Sequence, residues 1–385
     1  MNQHIKSRLP DVGTSIFTVM SRMALEQGAI NLSQGFPDFP VSEELVDLIY
    51  KYLKEGHNQY APMPGTPALR KAIANVIATT YQRTTDFETE VTITAGGTVA
   101  LFSTIAAFVQ QGDEVIVFDP AYDSYDPSIR LNGGIPKHIA LRPPHFAIDW
   151  QEVKDTITPR TRLIIVNTPH NPTGSILREA DLKQLEAIAQ AHNIIVLSDE
   201  VYERIIFDNA SHESVLKYPG LTQHSVAVFS FGKTFHATGW KVGYAIAAPH
   251  LTQEIRKAHQ FITFSVNTPV QLALAEYLTK PEHYLELGQF YQRKRDFFLS
   301  EIKGSALQPL PCHGSYFQLC SYAGVKSLPE KEMAEWMTKE LKLAPIPVSA
   351  FYQKGDNQQL LRFCFAKSET TLEKAGQILR KTLAG

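Results

Sequence analysis

Cysteine is scarce: Cys312, Cys320 and Cys364 are the only three in 385 residues, and none forms a CxxC pair. An odd, sparse set argues against a disulfide framework and for a reducing, cytoplasmic setting. No HExxH segment and no Cys/His cluster is present, so a zinc site is not expected. Asp119, Asp123 and Asp126 lack the spacing of a calcium loop. Neither charge sign is in excess. Thirty-seven basic against 39 acidic side chains leave a net charge of −2. That balance provides no basic footprint for nucleic acid and no polybasic stretch for an anionic membrane. The opening residues MNQHIKSRLPDVG contain no apolar run of signal-peptide type, so no secretory leader is expected. The longest uncharged stretch, residues 91–112, holds Gly96-Gly97 and many Ser, Thr and Gln. It suits a buried strand, turn and helix better than a bilayer span. Internal repeats and low-complexity tracts are absent as well.

Missing motifs narrow the chemistry. Without GxSxG an α/β-hydrolase is disfavoured, and without GxGxxG a dinucleotide fold has no support. Gly232-Lys233-Thr234 resembles the end of a Walker A loop, but that loop needs glycine where Ala227 stands.

What is present is ordinary globular usage, 44% hydrophobic and 20% charged. At about 150 residues per domain, the length allows a large core and a smaller one. Short apolar runs at residues 91–94, 114–118, 163–167, 194–198, 225–229 and 242–247 read as buried strands. Amphipathic helices separate several of them. Residues 178–192, for example, place Leu182, Leu185, Ile188 and Ala189 on one side. Such alternation implies right-handed crossovers and an α/β fold with a mostly parallel central sheet flanked by helices. This large domain is expected over residues 42–280. Beyond Pro281 the pattern becomes α+β: a helix over 284–302, strands over 315–319 and 360–365, and helices near 330–341 and 369–383. The extended segment 1–41 is expected to join residues 281–385 in a small domain.

In such sheets ligands bind outside the carboxyl ends of the strands. Gly96-Gly97-Thr98 opens a helix there and can cradle a phosphate, although a double glycine also serves as a plain turn. Tyr122 follows the second run, and Asn171-Pro172-Thr173-Gly174, of tight-turn composition, follows the third. Asp199 ends the fourth run. It is a helix cap, half of a structural ion pair, or the counter-ion of a cationic heterocycle. Lys233 stands between Phe231 and Phe235, and apolar surroundings lower an amine's pKa and make it nucleophilic. Arg362, inside the apolar run 360–365, pairs with a structural acid or forks onto a ligand carboxylate. Strict alternation would set Leu361, Phe363 and Phe365 on one face, with Arg362 and Cys364 on the other. His170 and His236 are expected to support the site or to lie at the surface.

Taken together, Asn171-Pro172-Thr173-Gly174, Ser198-Asp199-Glu200-Val201-Tyr202, Ser230-Phe231-Gly232-Lys233-Thr234 and Thr238-Gly239-Trp240-Lys241-Val242-Gly243 resemble, in order and spacing, the class I aminotransferases of fold type I that use pyridoxal 5′-phosphate (PLP). Residues 31–39, Asn58-Gln59-Tyr60 and residues 346–349 with 362–365 resemble the branch of methionine aminotransferase and kynurenine/glutamine transaminase K.

The resemblance implies that Lys233 forms the Schiff base with PLP and then moves the substrate Cα proton. Asp199 would pair with the pyridine nitrogen, while Asn171 and Tyr202 bond the phenolate oxygen. Gly97, Thr98, Ser230 and Lys241 would bind the phosphate, with Tyr60 reaching in from the second subunit of a homodimer whose active site lies at the interface. Tyr122 would stack on the ring. Arg362 would clamp the substrate carboxylate beside Asn171 and Gly35. Trp240 and Phe235 would pack around the lysine loop. Parts of the superfamily carry arginine where Lys241 stands; lysine keeps the charge without the planar fork. Phe17, Phe36, Tyr60, Tyr122 and Phe264 are candidates for the side-chain pocket. They favour an apolar or aromatic amino acid, methionine first, with phenylalanine, glutamine, histidine or kynurenine as further donors and a 2-oxo acid as acceptor. The alternatives are a kynurenine/glutamine transaminase, a PLP β-lyase acting on cysteine S-conjugates and, of a different kind, a non-catalytic PLP-fold module of a regulator.

Overall fold

The computed structural model describes residues 6–355 and 357–383; residues 1–5 of the stretch read for a leader lie outside them. Seven strands form the central sheet in the order Val91–Thr94, Gly243–Ala247, Ser225–Ser230, Ile195–Asp199, Thr161–Asn167, Glu114–Asp119, Ile135–Ala140. Gly243–Ala247 runs antiparallel to both neighbours, and every other pairing is parallel. The sheet is therefore mostly parallel, and helices cover both faces.

Period-2 alternation assigns each strand residue to a layer. Ile116, Ile164, Val166 and Val196 face Leu69, Ile73 and Ile77 of the helix Pro67–Tyr81 and Leu182 and Leu185 of Glu179–His192. Val115, Val117, Leu163, Ile165, Leu197 and Val228 face Ala100, Leu101 and Ile105 of Gly97–Phe108. Burial on both faces explains why these strands read as unbroken apolar runs.

Ile135–Ala140 had no apolar signature. It pairs on one side only, with Glu114–Asp119, and is half exposed. An edge strand tolerates Pro136 and carries Lys137 and His138 without loss of a core contact.

A second core joins Met20 and Leu32 of the N-terminal segment to Tyr291, Phe298, Met333, Phe363, Phe365, Leu372 and Leu379. Its antiparallel sheet runs Ile346–Pro347, Leu360–Cys364, Phe317–Ser321, Gln308–Pro309. Ile30–Asn31 pairs in parallel with Leu343–Ala344 and ties the N-terminal segment to this unit. Three expectations needed adjustment. Phe317–Ser321 starts two residues late, because Ser315 sits at φ 64° and turns the chain first. The helix over 284–302 is two helices, Glu282–Leu285 and Leu287–Ile302. The helix near 330–341 is α-helical over Glu330–Trp336 and ends in a π turn, Met337–Leu341. In Leu360–Cys364 both faces set by alternation are covered: every residue is buried, Arg362 included.

Candidate active site

The strands Thr161–Asn167, Ile195–Asp199 and Ser225–Ser230 deliver their carboxyl ends to a cavity of about 380 Å³. Phe17, Gly35, Gly97, Thr98, Tyr122, Asn171, Asp199, Tyr202, Ser230, Lys233, Lys241 and Arg362 all line it. Tyr60 does not. It is 82% exposed, and its ring contacts Phe264 at 5.5 Å. Phe36 and Phe264 also lie off this chain's cavity, and Phe317 supplies the aromatic wall instead.

Asp199 is 4% exposed at the end of its strand. Tyr125 Oη donates to Oδ2 at 2.7 Å, and the Val201 amide donates to Oδ1 at 3.3 Å. It is neither a helix cap nor an ion-pair partner among the described residues. Burial pushes its carboxyl up to about 6, against the pull of those two donors. Asn167 Nδ2 donates to the Asp199 carbonyl at 2.8 Å, while its Oδ1 accepts from the Asn171 amide at 2.8 Å. One side chain thus couples two adjacent strand ends.

Lys233 sits on the single turn Phe231–Thr234 directly after its strand. Burial brings its amine down to about 8, and the nearby Arg362 and Lys241 charges act in the same direction. Nζ lies 2.8 Å from Tyr316 Oη and 3.4 Å from the Gly35 carbonyl. Tyr202 is buried, and its ring meets Tyr316 edge-on at 5.0 Å.

Arg362 is wholly buried. Nη1 donates to Asn171 Oδ1 at 2.8 Å and Nη2 to the Ser33 carbonyl at 2.7 Å. Nε has no partner. The guanidinium stacks on Phe317 at 3.8 Å, with Phe17 and Phe351 at 5.2 and 5.3 Å. Of the two alternatives read from sequence, the paired structural acid is not found among the described residues: both hydrogen-bond partners are neutral oxygens, and Asp123 acts on the guanidinium only through its charge, without an ion-pair contact. Burial lowers its pKa to about 10. A charge held this way has capacity left for a carboxylate.

Opposite lies an anion cradle. Gly96 (φ 80°) precedes the helix Gly97–Phe108, whose first amides are free of intrahelical bonds. A Cβ on Gly243 would stand 2.9 Å from the Gly97 nitrogen and 2.5 Å from the Phe229 carbonyl, so only glycine lets these backbones meet. Lys241 Nζ is close enough to lie 3.2 Å from a Cβ placed on Gly96. Ser230 lines the same end of the cavity.

Around this shell, His170 is buried with Nδ1 2.8 Å from Thr173 Oγ1, and burial lowers its pKa to about 4. His236 Nδ1 lies 3.0 Å from Tyr291 Oη. Phe235 is buried against Phe231 and Tyr277. Tyr125, Asn167 and Tyr316 were missed as functional side chains. Tyr125 follows Tyr122 by three residues, at the first position of the helix Tyr125–Leu131, a usable signal. Tyr316 comes from the second core and carried none.

Among the described residues no cluster of His, Cys, Asp and Glu could hold a metal ion. No helix among them is long and apolar enough to cross a membrane.

The chain matches the family described as aminotransferase class I and II over residues 27–379. It is 50% identical over 377 residues to the methionine aminotransferase of Escherichia coli (strain K12), covering 98% of each chain. With a kynurenine–oxoglutarate transaminase of Dictyostelium discoideum it shares 33% identity over 410 residues, 96% of this chain and 94% of that one. A crystal structure of an Escherichia coli protein with a methionine aminotransferase function superposes with a TM-score of 0.96 at 50% identity, covering 98% of this chain and 99% of that one.

Proposed function

The chain belongs to the class I and II aminotransferases, whose cofactor is PLP, and from that premise we propose that it transfers the amino group of methionine to a 2-oxo acid. The observation that carries the reading is one cavity that joins a buried guanidinium and a buried carboxylate, neither in an ion pair among the described residues, with a lysine amine brought down to about 8.

The residues present fit the cofactor. A buried acid without a cation suits a protonated ring nitrogen, the glycine cradle with Lys241, Ser230, Gly97 and Thr98 suits a phosphate, and Lys233 suits an aldehyde. Tyr122, Asn171 and Tyr202 line the same cavity; Tyr122 would stack on the ring, and Asn171 and Tyr202 would bond its oxygen. Bound PLP supplies a carbonyl to hold the amino group and a ring to accept the electrons left when Cα–H breaks. Arg362 clamps the α-carboxylate and so aims the Cα–H bond. Lys233, whose amine is brought down to about 8 and is therefore partly uncharged near that pH, takes the Cα proton and returns it. Lysine at 241 retains the charge needed at the cradle.

Phe17, Tyr122 and Phe317 give the cavity an aromatic wall, and its only basic lining residues among those described are Lys233, Lys241 and Arg362. A side-chain carboxylate such as that of aspartate would find no cation of its own. Such a wall separates neighbouring apolar side chains by only about 1–3 kcal/mol, so phenylalanine and kynurenine are secondary donors. The test is a matrix of amino donors against oxo acids with purified protein. Methionine should lead; turnover of aspartate with none of methionine refutes the reading.

A homodimer with the active site at its interface is part of the proposal. Tyr60 (82% exposed), Phe261 (89%), Ile262 and Phe264 form an apolar surface of the kind that association covers, and Tyr60 would reach the partner's phosphate cradle. The division into a large domain, 42–280, and a small one, 1–41 with 281–385, is supported by a second core drawn mainly from the N-terminal segment and the C-terminal third, although Tyr202, Ile205 and Phe207 join that core and Leu319, Val348, Tyr352 and Leu360 join the first. Three buried free cysteines suit a reducing, cytoplasmic location.

A further inference from the structure

Tyr316 is fully buried behind the cavity wall and is not itself a lining residue. Its hydroxyl lies 2.6 Å from the Gly35 carbonyl oxygen and 2.8 Å from Lys233 Nζ. A phenol has one proton, and a carbonyl can only accept. Burial keeps the phenol protonated by raising its pKa well above the ordinary value. The proton therefore goes to the Gly35 carbonyl, and toward both Lys233 and the neighbouring Tyr202 hydroxyl the phenol oxygen accepts. The arrangement depends on a close approach: a Cβ on Gly35 would stand 2.5 Å from Phe317 Cζ and 3.2 Å from Tyr316 Cε2.

An uncharged lysine amine has two N–H bonds and one lone pair. Here one N–H points to Tyr316 Oη and the other to the Gly35 carbonyl, 3.4 Å away. Both hydrogens are held against one wall, and the lone pair is left facing the cavity. We propose that Tyr316, its polarity locked by the Gly35 carbonyl, is the positioning residue that aims the Lys233 lone pair at an electrophile in the cavity. This rests on the reading of Lys233 as the reacting amine.

The test uses the cofactor-free full chain. Lys233 modification by trinitrobenzenesulfonate is followed against pH by peptide mass spectrometry in wild type, Tyr316→Phe and Tyr316→His. Wild-type Lys233 should react ahead of the exposed lysines with a midpoint near pH 8. In Tyr316→Phe the limiting rate at high pH should fall about tenfold, the factor of one hydrogen bond. The midpoint should also move down, because the ammonium form loses an acceptor. Tyr316→His, whose ring nitrogen can accept, should recover part of the rate, and it serves alone if Tyr316→Phe does not fold. A reactive wild-type Lys233 whose limiting rate and midpoint are the same in either variant overturns the role of Tyr316 alone. A wild-type Lys233 no faster than surface lysines overturns the reading of the amine itself, and this inference with it.

Discussion

Replacing Asp199 by asparagine should make the cofactor-free protein more stable at neutral pH while removing its function. Asp199 is buried, its partners are Tyr125 Oη and the Val201 amide, and its carboxyl is raised from an ordinary 3.8 to about 6. A carboxyl raised on folding binds its proton more tightly in the folded state. Between about pH 4 and 6 the folded chain holds more protons than the unfolded one, so stability falls as pH rises through that window. Above it the full penalty applies. At 1.36 kcal/mol per pH unit, the gap between 3.8 and about 6 is about 3 kcal/mol. Asparagine has the same shape and no charge to desolvate; its Oδ1 can accept from the Val201 amide while its Nδ2 donates to Tyr125 Oη, which can accept as well as donate. Apo Asp199→Asn should therefore match apo wild type near pH 4 and exceed it at pH 7.5, by a melting-temperature difference on the order of 3–6 °C. Thermal melts of both apo proteins across pH 4–8 measure this directly. A difference independent of pH, or a less stable variant at pH 7.5, would refute the claim that Asp199 carries an uncompensated charge. With PLP added, the same substitution should lower turnover by orders of magnitude while leaving some cofactor bound.

Other expectations follow from the same geometry. Arg362→Ala removes the guanidinium but leaves the cradle and Lys233 in place, so KM for donor and oxo acid should rise about 10²–10³-fold. Cofactor affinity, read by absorbance titration, should change little; unchanged KM rejects the clamp. Phe261→Asp with Phe264→Asp should shift sedimentation from dimer to monomer, and a wild type already monomeric at micromolar concentration sinks the interface. His138 lies 2.8 Å from Asp119 and 3.2 Å from Asp126, and despite its burial these bonds raise its pKa to about 9. Its stabilisation is complete below the ordinary 6.5 and lost as pH climbs through 9. Wild type should therefore lose up to about 3 kcal/mol more stability across that range than His138→Ala does, by denaturation of both proteins at each pH.

The parts of the molecule legible from sequence were those in which one residue type meets one local demand. Strands buried on both faces announce themselves as apolar runs, and Asp199 and Lys233 stand where those runs stop. Ile135–Ala140 was invisible because an edge strand needs no apolar run, and its Pro136 argues locally against any strand. Tyr316 was invisible for another reason. It reaches Lys233 across 83 positions of sequence, from a second core. Inside Gly314-Ser315-Tyr316-Phe317 it looks like one more packed aromatic. Arg362 was half legible: an arginine in an apolar strand demands a partner, but its periodicity could not say which. Both faces of that strand are covered, so alternation carried no information about where the side chain would find one.

The choice of partners explains how one cavity can carry such a mixture of charges. Had Asp199 paired with Lys233 or with Arg362, each charge would be neutralised before any ligand arrived. A ligand would then have to break a buried pair, at roughly 3–5 kcal/mol. Instead Asp199 takes a phenol and an amide, Lys233 a phenol and a carbonyl, and Arg362 an amide oxygen and a carbonyl. Each dipole holds its group in position without cancelling its charge. The residual penalties appear as a carboxyl pushed up to about 6, an amine brought down to about 8 and a guanidinium lowered to about 10. An incoming ring nitrogen and substrate carboxylate relieve the first and third of these directly, so part of the cost of burying the two charges is returned on binding. The same logic predicts that converting a neutral partner into a charged one is worse than deleting it. Asn171→Asp would give Arg362 the acid it lacks and an ion pair of its own. Carboxylate affinity should then fall below that of Asn171→Ala, and a higher affinity in Asn171→Asp would show that neutrality of the partner set is incidental.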